Sequence, residues 1–297
     1  MKRSFASVTL DGVAPRACLA FAATLTLAAA LLAPEIADIV RQWTWSSSYH
    51  HGWLALPLAA WLFADARDWE QHPPRFDWLG AVPLVMAIGL MIAGRALDAA
   101  LLGHVAIVAA IAGAGLLTLG RELMRRSAFA FGFLVFMVPL GESLIPPLQH
   151  AAAPAVAALL NGIGIETQLD GLILTTAAGQ FEMAGSCAGL RFLLAATMIA
   201  ALAAHLAFKS ASRKALFIVG AILLAIVANW ARAFGIVAAA TVTDLKIGTG
   251  PEHVAFGWIF YGGLLISLLV LARRFGDRYR ARIIQSGPLA SATPDVE

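Results

Sequence analysis

The sequence predicts an all-α integral membrane protein. We expect a polytopic bundle of about eight transmembrane helices, with a small extracytoplasmic β-hairpin before the helix that carries a reactive thiol. Three observations predict this class. Apolar runs close to the ~20 residues that a bilayer-spanning helix needs recur along the chain. Hydrophobic residues make up 60% of the protein and charged residues 13%, so no stretch can fold as a separate soluble domain. Lys and Arg gather in alternate loops, the signature of an oriented multi-pass protein.

The first span is expected over 17–33, preceded by Lys2, Arg3 and Arg16 and ended by Pro34. With many spans downstream, this basic-then-apolar start reads as an uncleaved first helix. A mixed loop over 34–50 carries Trp43, Trp45 and Tyr49, residues suited to a membrane interface. The run from His51 to Ala64 is short, either a thin span or a re-entrant segment. Polar residues 65–77 separate it from spans expected over 78–94 and 99–119. Arg121, Arg125 and Arg126 mark a basic loop before a span over 128–147.

Residues 148–186 are the one long insertion outside the apolar runs. Ala151–Leu160 reads as an interfacial helix, and Asp170-Gly171 between two apolar segments as a hairpin turn. Gly179–Met183 adds a third short strand. Spans over 187–208, 214–240 and 252–272 complete a single transmembrane domain covering 1–297, with a cytoplasmic tail over 273–297.

Eight spans with both termini in the cytoplasm place 16 of the 21 Lys and Arg residues on the cytoplasmic side. The loops 34–50, 148–186 and 241–251 then face outward. This predicts a multi-pass protein of the cytoplasmic (inner) membrane. The net charge of +3 calls for no nucleic-acid partner; the bilayer itself is the expected partner.

Cys187 stands where the polar insertion turns into an apolar helix. A thiol at a helix N-terminus meets the positive end of the macrodipole, which favours the thiolate. Gly185 and Ser186 before it suit a helix start, and Arg191 follows at i+4. Against this stands the plain reading of a cysteine as a small buried apolar group. Cys18 lies near the opposite membrane face, so Cys187 is expected to be a free thiol.

Two polar positions fall at the same depth as Cys187. Asn229 and Arg232, three residues apart, share a helix face in the outer half of their span. A charge inside a span usually faces protein or water, although Arg232 could also snorkel outward as an interface anchor. His253 opens the last span after Pro251, with Gly257 one turn later leaving room for close helix contact. A solvated helix-end histidine is the plainer alternative. As a set, Cys is a nucleophile, His a proton acceptor and donor, and Arg a stabiliser of anionic charge. Arg191, Asn229 and Glu182 are supporting residues, Arg191 as a second anion binder or as the partner of Glu182 or Glu252. Ser186 ranks below Cys187 as a nucleophile because capping explains it.

These residues resemble the exosortase/archaeosortase family of membrane cysteine transpeptidases. The resemblance rests on Cys187-Ala-Gly-Leu-Arg191, Asn229-Trp-Ala-Arg232 and His253 with Gly257-Trp258, in that order. The approach Gln180-Phe-Glu-Met-Ala-Gly185 and the segment His51-Gly-Trp-Leu-Ala-Leu-Pro57 are also similar. Ala188 departs from the commonest Ser but keeps the small size. The resemblance implies catalytic roles for Cys187, Arg232 and His253, with no cofactor. It implies substrates that are exported proteins ending in a short motif, often Pro-Glu-Pro, then a hydrophobic helix and a basic cluster. It further implies an unidentified acceptor in the envelope that receives the new carboxyl end.

A second reading is a transporter or lipid carrier that binds an anionic group with Arg95, Arg191 and Arg232. No inverted repeat supports it. A third is a structural assembly factor for envelope polymers. No His/Cys cluster has metal-ligand spacing.

Overall fold

The computed structural model describes residues 15–66, 73–245 and 252–277. Its elements, in chain order, are α1 (Pro15–Leu31), α2 (Ala33–Trp45), α3 (Gly52–Ala66), α4 (Ala81–Ala96), α5 (Ala100–Leu119), α6 (Arg121–Arg126), α7 (Ala128–Phe133) and α8 (Ile145–Gly162). Three strands follow, β1 (Gln168–Asp170), β2 (Ile173–Thr176) and β3 (Gly179–Glu182), then α9 (Leu190–Ala207), α10 (Ala211–Val242) and α11 (Glu252–Phe275). The chain is a predominantly helical, multi-pass membrane protein.

Among the described residues, six helical segments are long and apolar enough to cross a bilayer, and a bent pair brings the number to seven. Among the described residues this count falls short of the eight expected. The first straight helix ends at Leu31, close to the expected end, and Pro34 lies in the first turn of α2, which turns 82° from α1, because proline suits a first turn but cannot continue the preceding helix. Most of the presumed loop 34–50 is consequently helix. The expected span 128–147 is also broken. After α7 a short 3-10 segment runs to Met137, and Pro139 and Gly141 (φ +99°) interrupt the ladder. The next segment able to cross a bilayer is Glu142–Gly162, where an interfacial helix was expected.

The chain forms two compact units, Met1–Leu140 and Gly141–Glu297. In the first, Glu35 of α2 is buried and accepts hydrogen bonds from Arg95 of α4 at 2.7 and 2.9 Å. His104 of α5, almost fully buried, meets Asp38 at 2.8 Å. The Trp43 indole N–H donates to the Met137 carbonyl at 2.8 Å, and its ring occupies the space over Gly52.

The second unit holds the candidate site. β1, β2 and β3 form one antiparallel sheet in that order, with Leu169 opposite Leu174 and Leu174 opposite Phe181. The turn after β1 passes through Gly171 at φ +59°, a region open to glycine. One face of α8 (Ala152, Ala153, Val156, Ala157, Leu160) packs with Leu174, Met183, Ala233 and Val237 into a buried cluster. That cluster joins α8, the sheet and α10. Alanines dominate the seam of α9 and α10 (Ala196, Ala200, Ala221, Ala225), closed by Leu264 and Leu268 of α11. Small side chains let apolar helices approach closely within a membrane.

Candidate functional site

The sheet and α8 deliver the chain to Cys187. Gln149 of α8 donates to the Met183 carbonyl at 2.6 Å, and the Met183 N–H bonds the Leu172 carbonyl at 2.8 Å. Gly185–Cys187 then form a 3-10 turn, with the Cys187 N–H bonded to the Ala184 carbonyl at 2.8 Å. Cys187 is half-buried against the cluster of α8, β2 and α10.

Cys187 is not the first residue of its helix. Gly189 intervenes at φ +87° and caps α9, which begins at Leu190. The expected i, i+4 register of Cys187 and Arg191 on one helix face therefore does not exist. No side chain caps α9, so Ser186, which is exposed, lacks the capping role assigned to it. Gly189 is required twice over. The left-handed backbone strains any L side chain, and a Cβ there would sit 2.5 Å from Asn229 Cγ.

That close approach brings α10 against the thiol-bearing turn. Asn229 donates from Nδ2 to the Cys187 carbonyl at 2.8 Å. Its Oδ1 accepts from Arg232 Nε and from a terminal nitrogen, both at 3.4 Å. Arg232 is 1% exposed and Asn229 3%, so this polar pair is sealed from solvent within the unit. The Arg232 guanidinium lies close enough to the Cys187 side chain for the two to interact electrostatically. Arg232 is thus no outward anchor. It points inward, at the thiol.

Arg191 is exposed, yet its charge reaches Arg232. Both guanidiniums lie near the ring of Phe192, Arg191 at 5.0 Å and Arg232 at 5.4 Å from its centre. Phe192 in turn packs on Tyr261 of α11 at 5.5 Å. The anticipated ion pair between Arg191 and Glu182 is absent among the described residues. Glu182 is the last residue of β3 and points outward, because Ile173 and Glu182 pair at the exposed edge of the register. His253 lies in the first turn of α11, and its side chain is outside the described residues, as is that of Glu252. Gly257 is buried, and a Cβ there would meet no described atom within 4 Å.

Sequence reasoning missed Phe192 and Tyr261, and it held Gly189 only as a member of the Cys187–Arg191 motif, without its role in the backbone. The aromatic residues carried no signal, since Phe and Tyr in apolar helices are ordinary core residues. Among the described residues no group of His, Cys, Asp and Glu could hold a metal ion.

A buried arginine and asparagine on one membrane helix, closed on a cysteine at the start of another, define a polytopic membrane protein with a polar site in its helical layer. A family model described as transmembrane exosortase, of the EpsH type, matches residues 43–270, which include the whole site. The chain belongs to the transmembrane exosortase family. No curated protein and no solved structure gives a significant match. Membership supports a sorting transpeptidase role in general.

Proposed function

We propose that this protein is an intramembrane cysteine transpeptidase. It would cleave a C-terminal sorting signal from exported proteins and transfer the new carboxyl end to an acceptor in the envelope. The observation that carries this reading is the buried Arg232 guanidinium at the Cys187 side chain, with Asn229 tying the Cys187 carbonyl to the same helix. A guanidinium stays charged in a low-dielectric site and offers several donors. It pairs with negative charge on the attacking sulfur and receives the oxyanion that develops during attack.

In this mechanism the Cys187 thiolate attacks the scissile carbonyl and forms a tetrahedral intermediate, whose oxyanion Arg232 stabilises. Collapse breaks the C–N bond and leaves a thioester on Cys187. His253, on α11, would take the thiol proton and return it to the leaving amine. An acceptor nucleophile then releases the carboxyl end and restores the thiol. Arg191, Asn229 and Glu182 would support the site rather than react. The proposed substrates carry a C-terminal motif, a hydrophobic helix that enters the bilayer, and a basic cluster.

The bias of Lys and Arg supports an inner-membrane protein with the segment 163–186 and Cys187 on the extracytoplasmic side. Labelling of intact cells and sealed vesicles with a membrane-impermeant maleimide tests both halves of the proposal, with Cys187→Ala as the blank. We expect labelling of Cys187 from outside, slowed by Arg232→Ala, and loss of substrate maturation in Cys187→Ala and Cys187→Ser. Labelling from the cytoplasmic side only would overturn the orientation. Maturation that survives both cysteine substitutions, with anion transport lost on removing Arg95, Arg191 or Arg232, would replace the enzyme by a transporter.

A further inference from the structure

Phe192 and Tyr261 belong to no motif discussed above, yet they join the three helices of the site. Arg232 meets its Asn229 oxygen partner at 3.4 Å through two nitrogens, both long contacts. A ring face adds an attraction that does not depend on aligned donors. The Phe192 ring, 5% exposed, supplies one at 5.4 Å. The same ring lies 5.0 Å from the Arg191 guanidinium, so two like charges approach one another across a shared aromatic surface. Tyr261 packs against the ring, its own ring tilted by 42° at 5.5 Å. Tyr261 lies two turns beyond His253 on α11, and both positions ride on one rigid element.

We propose that Phe192 and Tyr261 form a positioning pair that holds the Arg232 guanidinium at Cys187 and sets the register of α11 against α9 and α10. The pair acts through Arg232 and makes no covalent contribution. The inference rests on the reading of Cys187 as a thiol activated by Arg232. It adds that this activation depends on an aromatic surface contributed by two other helices.

The test is the rate of Cys187 alkylation by an impermeant maleimide in sealed vesicles, followed from pH 6 to 9, with a Cys18→Ser background to isolate the signal. Arg232→Ala is the reference and should slow alkylation at neutral pH. Phe192→Leu should reproduce about three- to tenfold of that slowing, and Phe192→Tyr should restore it. Tyr261→Leu should slow the reaction to a smaller degree, and Tyr261→Phe should return it to the parent profile. The decisive variant is the double Arg232→Ala, Phe192→Leu, which should be no slower than Arg232→Ala alone, since the ring has then lost its cation.

A purely structural ring would slow the double variant further, and that additivity overturns the inference. So does a Phe192→Leu profile equal to the parent while Arg232→Ala is slow. Should Phe192→Leu not fold in the membrane, Tyr261→Leu combined with Arg232→Ala gives the same comparison. If Arg232→Ala itself leaves alkylation unchanged, the activated-thiol reading fails, which separates that failure from failure of the aromatic pair.

Discussion

Gly189→Ala offers a sharp perturbation of the site without touching a reactive group. Two costs add. An alanine at φ +87° bears the left-handed penalty of roughly 1–2 kcal/mol. Its Cβ would also lie 2.5–2.8 Å from Asn229 Cγ, Nδ2 and Cβ, so the amide must withdraw and its 2.8 Å bond to the Cys187 carbonyl is lost. A buried hydrogen bond contributes about 0.5–1.5 kcal/mol. We expect a combined loss on the order of 2–3 kcal/mol, roughly 30- to 160-fold in the equilibrium between intact and open site. Thermal unfolding in lipid nanodiscs and the rate of Cys187 alkylation read the two consequences. Gly185→Ala is the built-in control: it lies in the same turn at ordinary φ, and its Cβ would meet only Ile145 Cγ2 at 3.4 Å. The Asn229→Ala background removes the amide and its bond to the Cys187 carbonyl, leaving the backbone penalty and the 2.8 Å approach to Cβ, so the cost of Gly189→Ala should fall there by about 1 kcal/mol. Equal melting of the Gly189 and Gly185 variants, or full additivity with Asn229→Ala, would refute the argument.

Three further outcomes are expected. Gly52→Ala should destabilise the first unit by about 2–3 kcal/mol, because its Cβ would sit 2.3–2.7 Å from the Trp43 indole and displace the bond to Met137; melting of Trp43→Phe and the double variant checks the shared cause. Arg121 hydrogen-bonds Asp77 and holds its carboxyl below the usual aspartate value of about 3.9. That contribution is present above the ordinary value and is lost as pH falls through the depressed one, so Arg121→Ala should lower the melting temperature at pH 7 and converge with the parent at strongly acid pH. Burial lowers the pKa of His51, which stays neutral while the unfolded chain takes a proton below about pH 6.5. Stability should therefore fall from pH 7 to pH 5, and the fall should be shallower in His51→Gln, as measured by melting across that range.

Apolar run length and charge bias made the membrane class legible, since both are one-dimensional quantities. The breaks were harder. Pro34 was visible, but whether a proline ends a span or opens a second helix at an angle depends on what the following residues can bury. Ile39 and Trp43 are buried on α2, and that packing carried the helix on. Ala151–Leu160 looked interfacial because Ala-rich stretches have modest hydropathy; with Ile145–His150 attached, the helix is long enough to cross. In the site, the spacing of Asn229 and Arg232 placed both on one face. The register of Cys187 and Arg191 could not be read correctly, because a left-handed Gly189 resets the helix between them. Phe192 gained its meaning only from Arg232 and Tyr261, each distant in sequence.

The bond from Asn229 to the Cys187 carbonyl has a mechanical consequence. It spans two helices, and Arg232 stands one turn from Asn229 on the rigid α10. Any slide or tilt of α9 against α10 therefore tows the thiol-bearing turn with α10, and sulfur and guanidinium travel as one body.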